Sequence, residues 1–434
     1  MSKKEELINL LSKSYSVFHV VKNIEDEFIK AGYTKLDECK SYHLEANKNY
    51  YVKRNDSSII AFKLPSKLIN LHFQLTATHN DSPTFKLKPN PIKKIYNLIQ
   101  LNTEPYGGGI YNTWFDKPLS IAGRVYVRNG LNIHSHLLNI DEDLCIIPNV
   151  CIHMNREINS GYKYNPSVDT IPILGVDSPD FDFNSYLLSK LNLTSGEVIS
   201  HDLYLYNREK STLLGLNKEF LTSPREDDLA STYSAMLGFI SANKSENTIQ
   251  LFASFDNEEV GSLTKQGANS TFLIDTLKRI SSCLDLSEDE FRRIMASSIM
   301  LSIDNAHANH PNHPELSDRN TMVTLNSGIV IKYNANQTYT SDALSSAIVK
   351  GLCKENDIPY QEYTNRSDLR GGSTLGNLSQ AEISLTTVDI GLPQLAMHSS
   401  YETLGANDID YMVKLTEKYF ESNIKLVDND ITLD

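Results

Sequence analysis

The stretch TIQLFASFDNEEVGS (residues 248–262) decides the fold and points to the chemistry of this chain. TIQLFASF is rich in apolar and β-prone residues, which predicts a buried strand. Glu258 and Glu259 follow directly where that strand ends. Adjacent side chains point to opposite faces of a regular strand, so both glutamates reach one site only if the backbone bends. Asn257 before the pair and Gly261 after it favour such a bend.

Other predicted strands and one predicted helix carry imidazoles and carboxylates at corresponding places. LHFQLTATHND (71–81) ends with His79 and Asp81, ASSIMLSIDNAH (296–307) contains Asp304, EISLTTVDIGLPQLAMH (382–398) ends with His398, and the helix in SPREDDLAST (223–232) begins with Asp227 and Asp228. In α/β sheets the sites form at the carboxyl ends of the strands. These side chains are ligands of divalent ions such as Zn²⁺. The pattern therefore predicts two-metal hydrolysis, with one glutamate in excess of the ligands.

The order of predicted elements divides the chain into two parts. Helices and strands alternate in residues 1–89 and again in 211–434, with residues 1–30 predicted as helix. Residues 90–210 instead consist of short β-rich segments separated by Gly, Asn and Pro turns. The alternation predicts an α/β fold, a three-layer sandwich around a mostly parallel sheet. We predict a discontinuous domain (1–89 plus 211–434) that carries an inserted β-rich domain (90–210).

Composition narrows the class of partner. The 434 residues carry a formal net charge of −13, which argues against nucleic acid or an anionic membrane surface as a partner. No run reaches the roughly 18 apolar residues of a membrane helix. The first residues lack the apolar core of a signal peptide. Five scattered cysteines without a CxxC motif indicate reduced thiols, so we expect a cytoplasmic protein.

The segment with His79 and Asp81 and the segment with Asp227 each have a functional and a structural interpretation. His79 would bind one ion, and Asp81 would hydrogen-bond its imidazole and fix its tautomer. Asn-Asp-Ser-Pro after His79 is also ordinary turn chemistry. Asp227 would bridge two ions about 3.5–4 Å apart, in preference to its neighbour Asp228. Acidic residues at a helix start are also common because they favour the helix dipole.

The remaining candidates complete the set. Glu259 would bind metal, and Glu258 would act as general base, a role that contributes about 10²–10⁴-fold. The alternative for this pair is a solvated acidic turn. Asp304 and His398 would be ligands. The nearby histidines are interpreted as turn residues or as residues that support the ligands: His307, His310 and His313.

Several local strings resemble one enzyme family in the same order along nearly the whole chain. These strings are TATHNDSP (76–83), YNTWFDKPLSIAGRV (111–125), SPREDDL (223–229), FDNEEVGS (255–262), SIDNAHANHPN (302–312) and PQLAMHSSYE (393–402). They resemble the aspartyl aminopeptidases, peptidase family M18 of the co-catalytic zinc aminopeptidases. The resemblance implies release of N-terminal residues, Asp or Glu in particular, by attack of a metal-bound water with Glu258 as base.

The resemblance also implies a ligand set for each of two divalent ions per subunit. One ion would be held by His79, Asp227 and Asp304. The other would be held by Asp227, Glu259 and His398, with Asp81 orienting His79. Zn²⁺ is the expected metal, and Mn²⁺ and Co²⁺ accept the same ligands.

Further expectations come from the resemblance in the inserted domain and the substrate pocket. The inserted domain would mediate dimerisation within a dodecamer, and His153 in IHMNREIN (152–159) would reach a neighbouring subunit's site and steady the reaction intermediate. Lys332 in GIVIKYNANQTYTSD (328–342) would pair with the acidic side chain of a substrate, whereas a lone lysine on a strand edge is ordinarily solvated. Thr338 stands where the family often has a basic residue. RGGSTLG (370–376) would line the pocket.

Three alternatives to an acidic aminopeptidase follow from the same residues. The enzyme could prefer neutral residues such as Leu, which Lys332 disfavours. It could be a deacylase of N-acyl amino acids, which the extended string match disfavours. It could be a non-catalytic, metal-stabilised assembly protein, but such a site does not need the base Glu258.

Overall fold

The structure is a computed structural model that describes residues 2–369, 371–372, 374–427 and 430–433. Its helices are α1 (Lys3–Leu11), α2 (Val17–Lys30), α3 (Phe183–Lys190), α4 (Glu226–Ser241), α5 (Phe272–Cys283), α6 (Glu288–Ala296), α7 (Ala343–Glu355), α8 (Leu375–Ile383) and α9 (Ala406–Glu421). Its strands are β1 (Thr34–Leu36), β2 (Asn49–Arg54), β3 (Ser58–Lys63), β4 (His72–His79), β5 (Thr84–Ile95), β6 (Leu98–Tyr106), β7 (Leu119–Asn129), β8 (Asn132–Asn139), β9 (Ile173–Val176), β10 (Glu197–Asn207), β11 (Thr212–Leu214), β12 (Phe220–Ser223), β13 (Thr248–Phe255), β14 (Ile299–Ile303), β15 (Ala306–His307), β16 (Ile329–Tyr333), β17 (Tyr360–Thr364), β18 (Thr386–Gly391), β19 (Pro393–Leu395), β20 (Glu402–Gly405), β21 (Ile424–Val427) and β22 (Asp430–Leu433).

A large mixed sheet forms the centre of the molecule. Its strands follow the order β1-β2-β3-β13-β4-β14-β18-β16-β17. The four middle strands, β13, β4, β14 and β18, are mutually parallel. Both faces are covered, because one apolar cluster packs α1, α2, α4, α7 and α9 against the sheet and a second packs α5, α6 and α8. The predicted three-layer α/β sandwich with a mostly parallel sheet is confirmed.

A second, antiparallel sheet occupies the middle of the chain. Its order is β8-β7-β10-β5-β6-β9, and it has its own apolar core around Trp114, Phe115 and Leu203, against which α3 packs. Its strands begin at Thr84, ahead of the boundary predicted at residue 90, and β10 ends at Asn207. We call the chain from 84 to 207 the inserted domain.

The single helix predicted over residues 1–30 is wrong in one respect. The chain forms two helices, α1 and α2, with a break between Leu11 and Val17. At the break, the Ser14 hydroxyl donates to the Leu10 carbonyl and pairs with the Tyr233 hydroxyl on α4. Both helices contribute apolar side chains to the same cluster, so the hydrophobic pattern alone does not reveal the break between them.

The cysteines and the apolarity of the helices complete the description of the fold. All five cysteines are free thiols. Within the described ranges, none of the helices combines the length and the apolarity that crossing a bilayer requires.

Candidate metal centre

Three adjacent strands of the large sheet bring the first candidates together. β13 runs parallel to β4 with Phe255 opposite His79, and β14 runs parallel to β4 on its other side. All three strands therefore end at the same edge, where His79 ends β4, Glu258 and Glu259 follow β13, and Asp304 follows β14. The residues come together because parallel strands place their carboxyl ends side by side.

The backbone bends at the glutamate pair, as the sequence predicts. Asn257 has φ +64° and Gly261 has φ +96°, and the residues between them form a short 3₁₀ helix, Glu258–Val260. This turn lets both glutamates face the centre, which a straight strand does not allow. The Asp81 carboxylate holds the turn: Oδ1 accepts the Glu258 N–H (3.1 Å) and Oδ2 accepts the Glu259 N–H (3.2 Å).

Three groups of side chains among the described residues could hold a metal ion; one is His79 with Glu258 and Glu259, and the other two share one carboxylate and are the predicted ligand groups. The first of these two is His79, Asp227 and Asp304, and the second is Asp227, Glu259 and His398; within each group the ligand atoms lie within 4.8 Å of one another. Asp227 Oδ1 is 3.6 Å from His79 Nε2, and Asp227 Oδ2 is 3.3 Å from His398 Nε2. Each carboxylate oxygen of Asp227 thus faces a different group, which is the arrangement of a bridging ligand.

The donors of both groups fit divalent cations. Asp227 Oδ1 and Glu259 Oε1 are buried and have no hydrogen-bond partner among the described residues. Buried carboxylate oxygens without partners are costly unless a cation compensates them. Burial raises the pKa of Glu259 to about 7, although the hydrogen bond from His398 opposes it. Desolvation also opposes the charge on His398, but Asp227 and Glu259 raise its pKa to about 11. Cations at these positions would neutralise the carboxylates that face one another.

Both imidazoles are oriented by their other ring nitrogen. His79 Nδ1 lies 3.2 Å from the Asp81 carbonyl and 3.5 Å from Asp81 Oδ1. His398 Nδ1 lies 3.0 Å from the Gly108 carbonyl. An N–H donated at Nδ1 leaves Nε2 free as a ligand atom, which is the usual device for fixing the tautomer of a metal-binding histidine.

The chain also matches a known enzyme family along nearly its whole length. The sequence model of the family described as aminopeptidase I zinc metalloprotease (M18) matches residues 10–420. This chain belongs to the M18 family. It is therefore a metalloaminopeptidase of a zinc-dependent family, and the membership predicted from its motifs is confirmed.

Individual relatives agree with this assignment. The M18 chain is 43% identical over 424 residues to a probable M18 family aminopeptidase 2 of Clostridium novyi (strain NT), covering 96% of this chain and 98% of the relative. The protein of the same name from Clostridium acetobutylicum is 44% identical with the same coverage. Among solved structures, the cryo-EM structure of the Ape4 and Nbr1 complex gives a TM-score of 0.92 at 33% identity, covering 96% of this chain and 85% of that chain. The S. cerevisiae mApe1 dodecamer gives 0.84 at 26% identity, with 96% of each chain covered.

Glu402 supports the candidate metal centre, a role that the sequence analysis did not predict. It begins β20 and is buried, with Oε1 accepting the His398 N–H (2.6 Å) and Oε2 accepting the Asp227 N–H (3.1 Å). One carboxylate thus holds the backbone of Asp227 and of His398, two of the candidate ligands. Burial, reinforced by the charge of Asp227, raises the pKa of Glu402 to about 8. The sequence did contain one indication of this role, because Glu402 begins a strand only a few residues after His398, a proposed ligand.

Asp228 and Lys332 are buried beside the candidate metal centre but lie outside the two predicted ligand groups. Asp228 Oδ2 accepts the His79 N–H (3.4 Å), and burial raises the pKa of Asp228 well above its usual value. The Lys332 ammonium donates to the carbonyls of Asp304 (2.7 Å) and Asn305 (3.1 Å) and lies 3.8 Å from Asp304 Oδ2. The alternative of a solvated lysine is wrong, because the residue is only 2% exposed.

Other predicted residues lie away from both ligand groups. His153 is exposed in a turn of the inserted domain. The three histidines after Asp304 are in neither group: His307 packs edge-on against the Tyr363 ring, whereas His310 and His313 lie in an exposed loop. In the predicted glycine-rich loop, Arg370 and Ser373 lie outside the described residues.

Proposed function

We propose that this M18 enzyme holds two divalent ions per subunit, Zn²⁺ in the first instance, with Mn²⁺ and Co²⁺ as metals that its ligands also accept. His79, Asp227 and Asp304 would hold one ion, and Asp227, Glu259 and His398 the other. The observation that carries the proposal is the carboxylate of Asp227, whose two oxygens face different histidines. When bound, the ions would lower the pKa of the attacking water and polarise the substrate carbonyl.

Glu258 is the general base in this mechanism. It lies in a group with His79 and Glu259, so its carboxylate is beside the ligands without being needed in either ligand set. Burial raises the pKa of Glu258 to about 8, with the charge of Asp304 adding to the effect and that of His79 opposing it. A carboxylate of raised pKa accepts a proton from the attacking water readily and then delivers it to the leaving amine. Asp81 positions this base through the hydrogen bond from the Glu258 N–H.

We further propose a preference for N-terminal Asp and Glu, with Lys332 as the cation that meets the substrate carboxylate. The support is a buried ammonium next to Asp304, because an acidic side chain entering there would gain a charge-assisted hydrogen bond. One observation favours a neutral preference instead. Lys332 already donates to two carbonyls, which leaves one N–H for a substrate.

Assembly into a homo-oligomer, a dodecamer built from dimers, is part of the proposal. The S. cerevisiae relative mApe1 is described as a dodecamer. The inserted domain exposes apolar side chains that a second copy would cover, Leu131, Ile133 and Met154 among them. In such an assembly the exposed His153 would reach a neighbouring subunit's centre. The five free thiols are consistent with a cytoplasmic enzyme acting on peptides.

Initial rates on matched peptides test the proposal. The substrates begin with Asp, Glu, Leu or Ala, an N-acetylated Asp peptide is the control, and Zn²⁺, Mn²⁺ or Co²⁺ is supplied in turn. We expect release of Asp and Glu with the acetylated control inert. Faster release of Leu or Ala would refute the acidic preference and leave the metal mechanism standing. No hydrolysis with any metal would refute the mechanism.

A further inference from the structure

The hydroxyl of one residue in the inserted domain bonds to two residues that support the candidate metal centre. Tyr106 is the last residue of β6, in the antiparallel sheet. Its hydroxyl donates to Asp81 Oδ2 at 2.7 Å and accepts from Asn257 Nδ2 at 2.8 Å. The hydroxyl therefore joins the two segments that follow β4 and β13, the strands that deliver His79 and the glutamate pair.

The partners of this hydroxyl contact the proposed base and two proposed ligands. Asp81 accepts the backbone N–H groups of Glu258 and Glu259, and its carbonyl lies 3.2 Å from His79 Nδ1. Asn257 precedes the glutamates and adopts the left-handed conformation that starts their turn. A shift of either partner would therefore move the base and a ligand together.

The residues after Tyr106 reach the other side of the centre. The Gly108 carbonyl faces His398 Nδ1, and the Ile110 N–H donates to the His398 carbonyl at 2.9 Å. Gly107, between Tyr106 and Gly108, has φ +73°, and a Cβ added there would lie 3.1 Å from the Glu259 Cβ. Residues 106–110 of the inserted domain thus contact the second ligand group directly and reach the first through Asp81.

We propose that Tyr106 is a positioning residue, through which the inserted domain sets the geometry of the Glu258–Glu259 turn and of His79. This inference rests on the proposed metal function. It differs from a role of the inserted domain in dimerisation, because the contacts are made within one subunit.

The test compares Tyr106→Phe with Tyr204→Phe in the metal-loaded, full-length protein. Tyr204 packs edge-on against Tyr106 (5.7 Å between ring centroids), and its hydroxyl makes no hydrogen bond among the described residues. Three readouts are used: Zn²⁺ affinity by chelator competition, the visible absorption spectrum of the Co²⁺-loaded protein, and kcat and KM on one peptide. Loss of a residue that orients metal ligands typically costs about 10–100-fold in metal affinity or activity.

We expect Tyr106→Phe to lower Zn²⁺ affinity and kcat about 10-fold or more, to shift the Co²⁺ bands and to leave KM nearly unchanged. Tyr204→Phe should match the unchanged protein in Zn²⁺ affinity, in the Co²⁺ spectrum and in kcat and KM. Equal behaviour of the two variants would overturn the inference. Gly107→Ala is the second perturbation, because its Cβ presses on Glu259 while every hydroxyl is kept. It should also weaken Zn²⁺ binding. If Tyr106→Phe folds poorly, wild-type Zn²⁺ affinity in Gly107→Ala alone refutes the inference.

Failure of the inference and failure of the proposed function give different results. If the unchanged protein binds no metal and hydrolyses no peptide, the proposed function fails. If it does both and Tyr106→Phe equals Tyr204→Phe, only the positioning role fails.

Discussion

The substitution Glu402→Gln probes the carboxylate that holds two ligand segments at once. Glu402 is 2% exposed and accepts the N–H groups of His398 (2.6 Å) and Asp227 (3.1 Å). A glutamine keeps one acceptor oxygen but turns an NH₂ group toward the second N–H. One hydrogen bond to a charged acceptor, worth about 1.5–3 kcal/mol, is replaced by two donors that face each other.

The expected effect is larger in the metal-loaded protein than in the metal-free one. Without metal, burial keeps Glu402 largely protonated at neutral pH, so the glutamine replaces a neutral acid and less is lost. With metal, the cations favour the charged carboxylate, and its hydrogen bond to the second N–H is lost in full. We therefore expect the loaded protein to lose about 2–3 kcal/mol of unfolding free energy, and Zn²⁺ affinity to fall about 10–100-fold.

Urea unfolding with and without Zn²⁺, together with chelator competition, measures both quantities. Glu226→Gln is the matched control, because Glu226 is equally buried, neither of its oxygens has a hydrogen-bond partner in the described structure, and burial raises its pKa well above the usual value. A neutral amide at position 226 should leave the Zn²⁺ affinity within about twofold of that of the unchanged protein. If Glu402→Gln binds Zn²⁺ as tightly as Glu226→Gln, the reasoning about Glu402 is refuted.

Four further predictions concern catalysis, specificity, assembly and pH. Glu258→Ala should keep both metals and the oligomer but lose about 10²–10⁴-fold in kcat; near wild-type turnover would exclude this base. Lys332→Ala should slow Asp and Glu substrates selectively, whereas equal loss on Leu peptides would make Lys332 a support of Asp304 and not a specificity residue. His153→Ala should lower kcat without releasing metal, and an unchanged rate or metal loss would contradict a role across subunits. Burial, with the charge of Arg225 adding to it, lowers the pKa of His19 to about 4. The unfolded chain therefore takes up the proton first as pH falls, and up to about 3 kcal/mol of stability, present above pH 6.5, is lost toward pH 4. Thermal unfolding of His19→Gln should show a weaker pH dependence over this range than the exposed-site control His43→Gln, and equal slopes would refute the assignment.

The sequence predicted those parts of the centre that depend on local pattern. His79, the Glu258–Glu259 turn and Asp304 follow strands whose apolar runs are visible without a structure, and the left-handed residues that bend the turn are Asn and Gly. Parallel neighbours in one sheet then bring these segments together. The apolar pattern of a strand and the residue types of a turn depend on a few adjacent residues. A single sequence therefore reveals both.

What the sequence did not predict depends on contacts between distant segments. Glu402 meets Asp227, and Tyr106 meets Asp81 and Asn257, only after the sheets have packed. Lys332 is buried because its strand, β16, lies between β18 and β17 in the large sheet. Its ammonium donates to carbonyls that follow β14, and no local pattern indicates these partners. Hydrogen bonds of this kind are set by tertiary placement, so spacing along the chain carries no signal for them.

The span of the proposed ligand set has a consequence during synthesis. The ligands run from His79 to His398, and the shared Asp227 lies between them. A growing polypeptide lacks the second ligand set until residue 398 has left the ribosome, whatever has already folded. The proposed two-ion mechanism needs residue 398, so we expect no peptide hydrolysis from a chain that is only partly synthesised. Translation that stops between residues 304 and 398 would yield a fragment able to supply the first set of side chains but unable to complete the second.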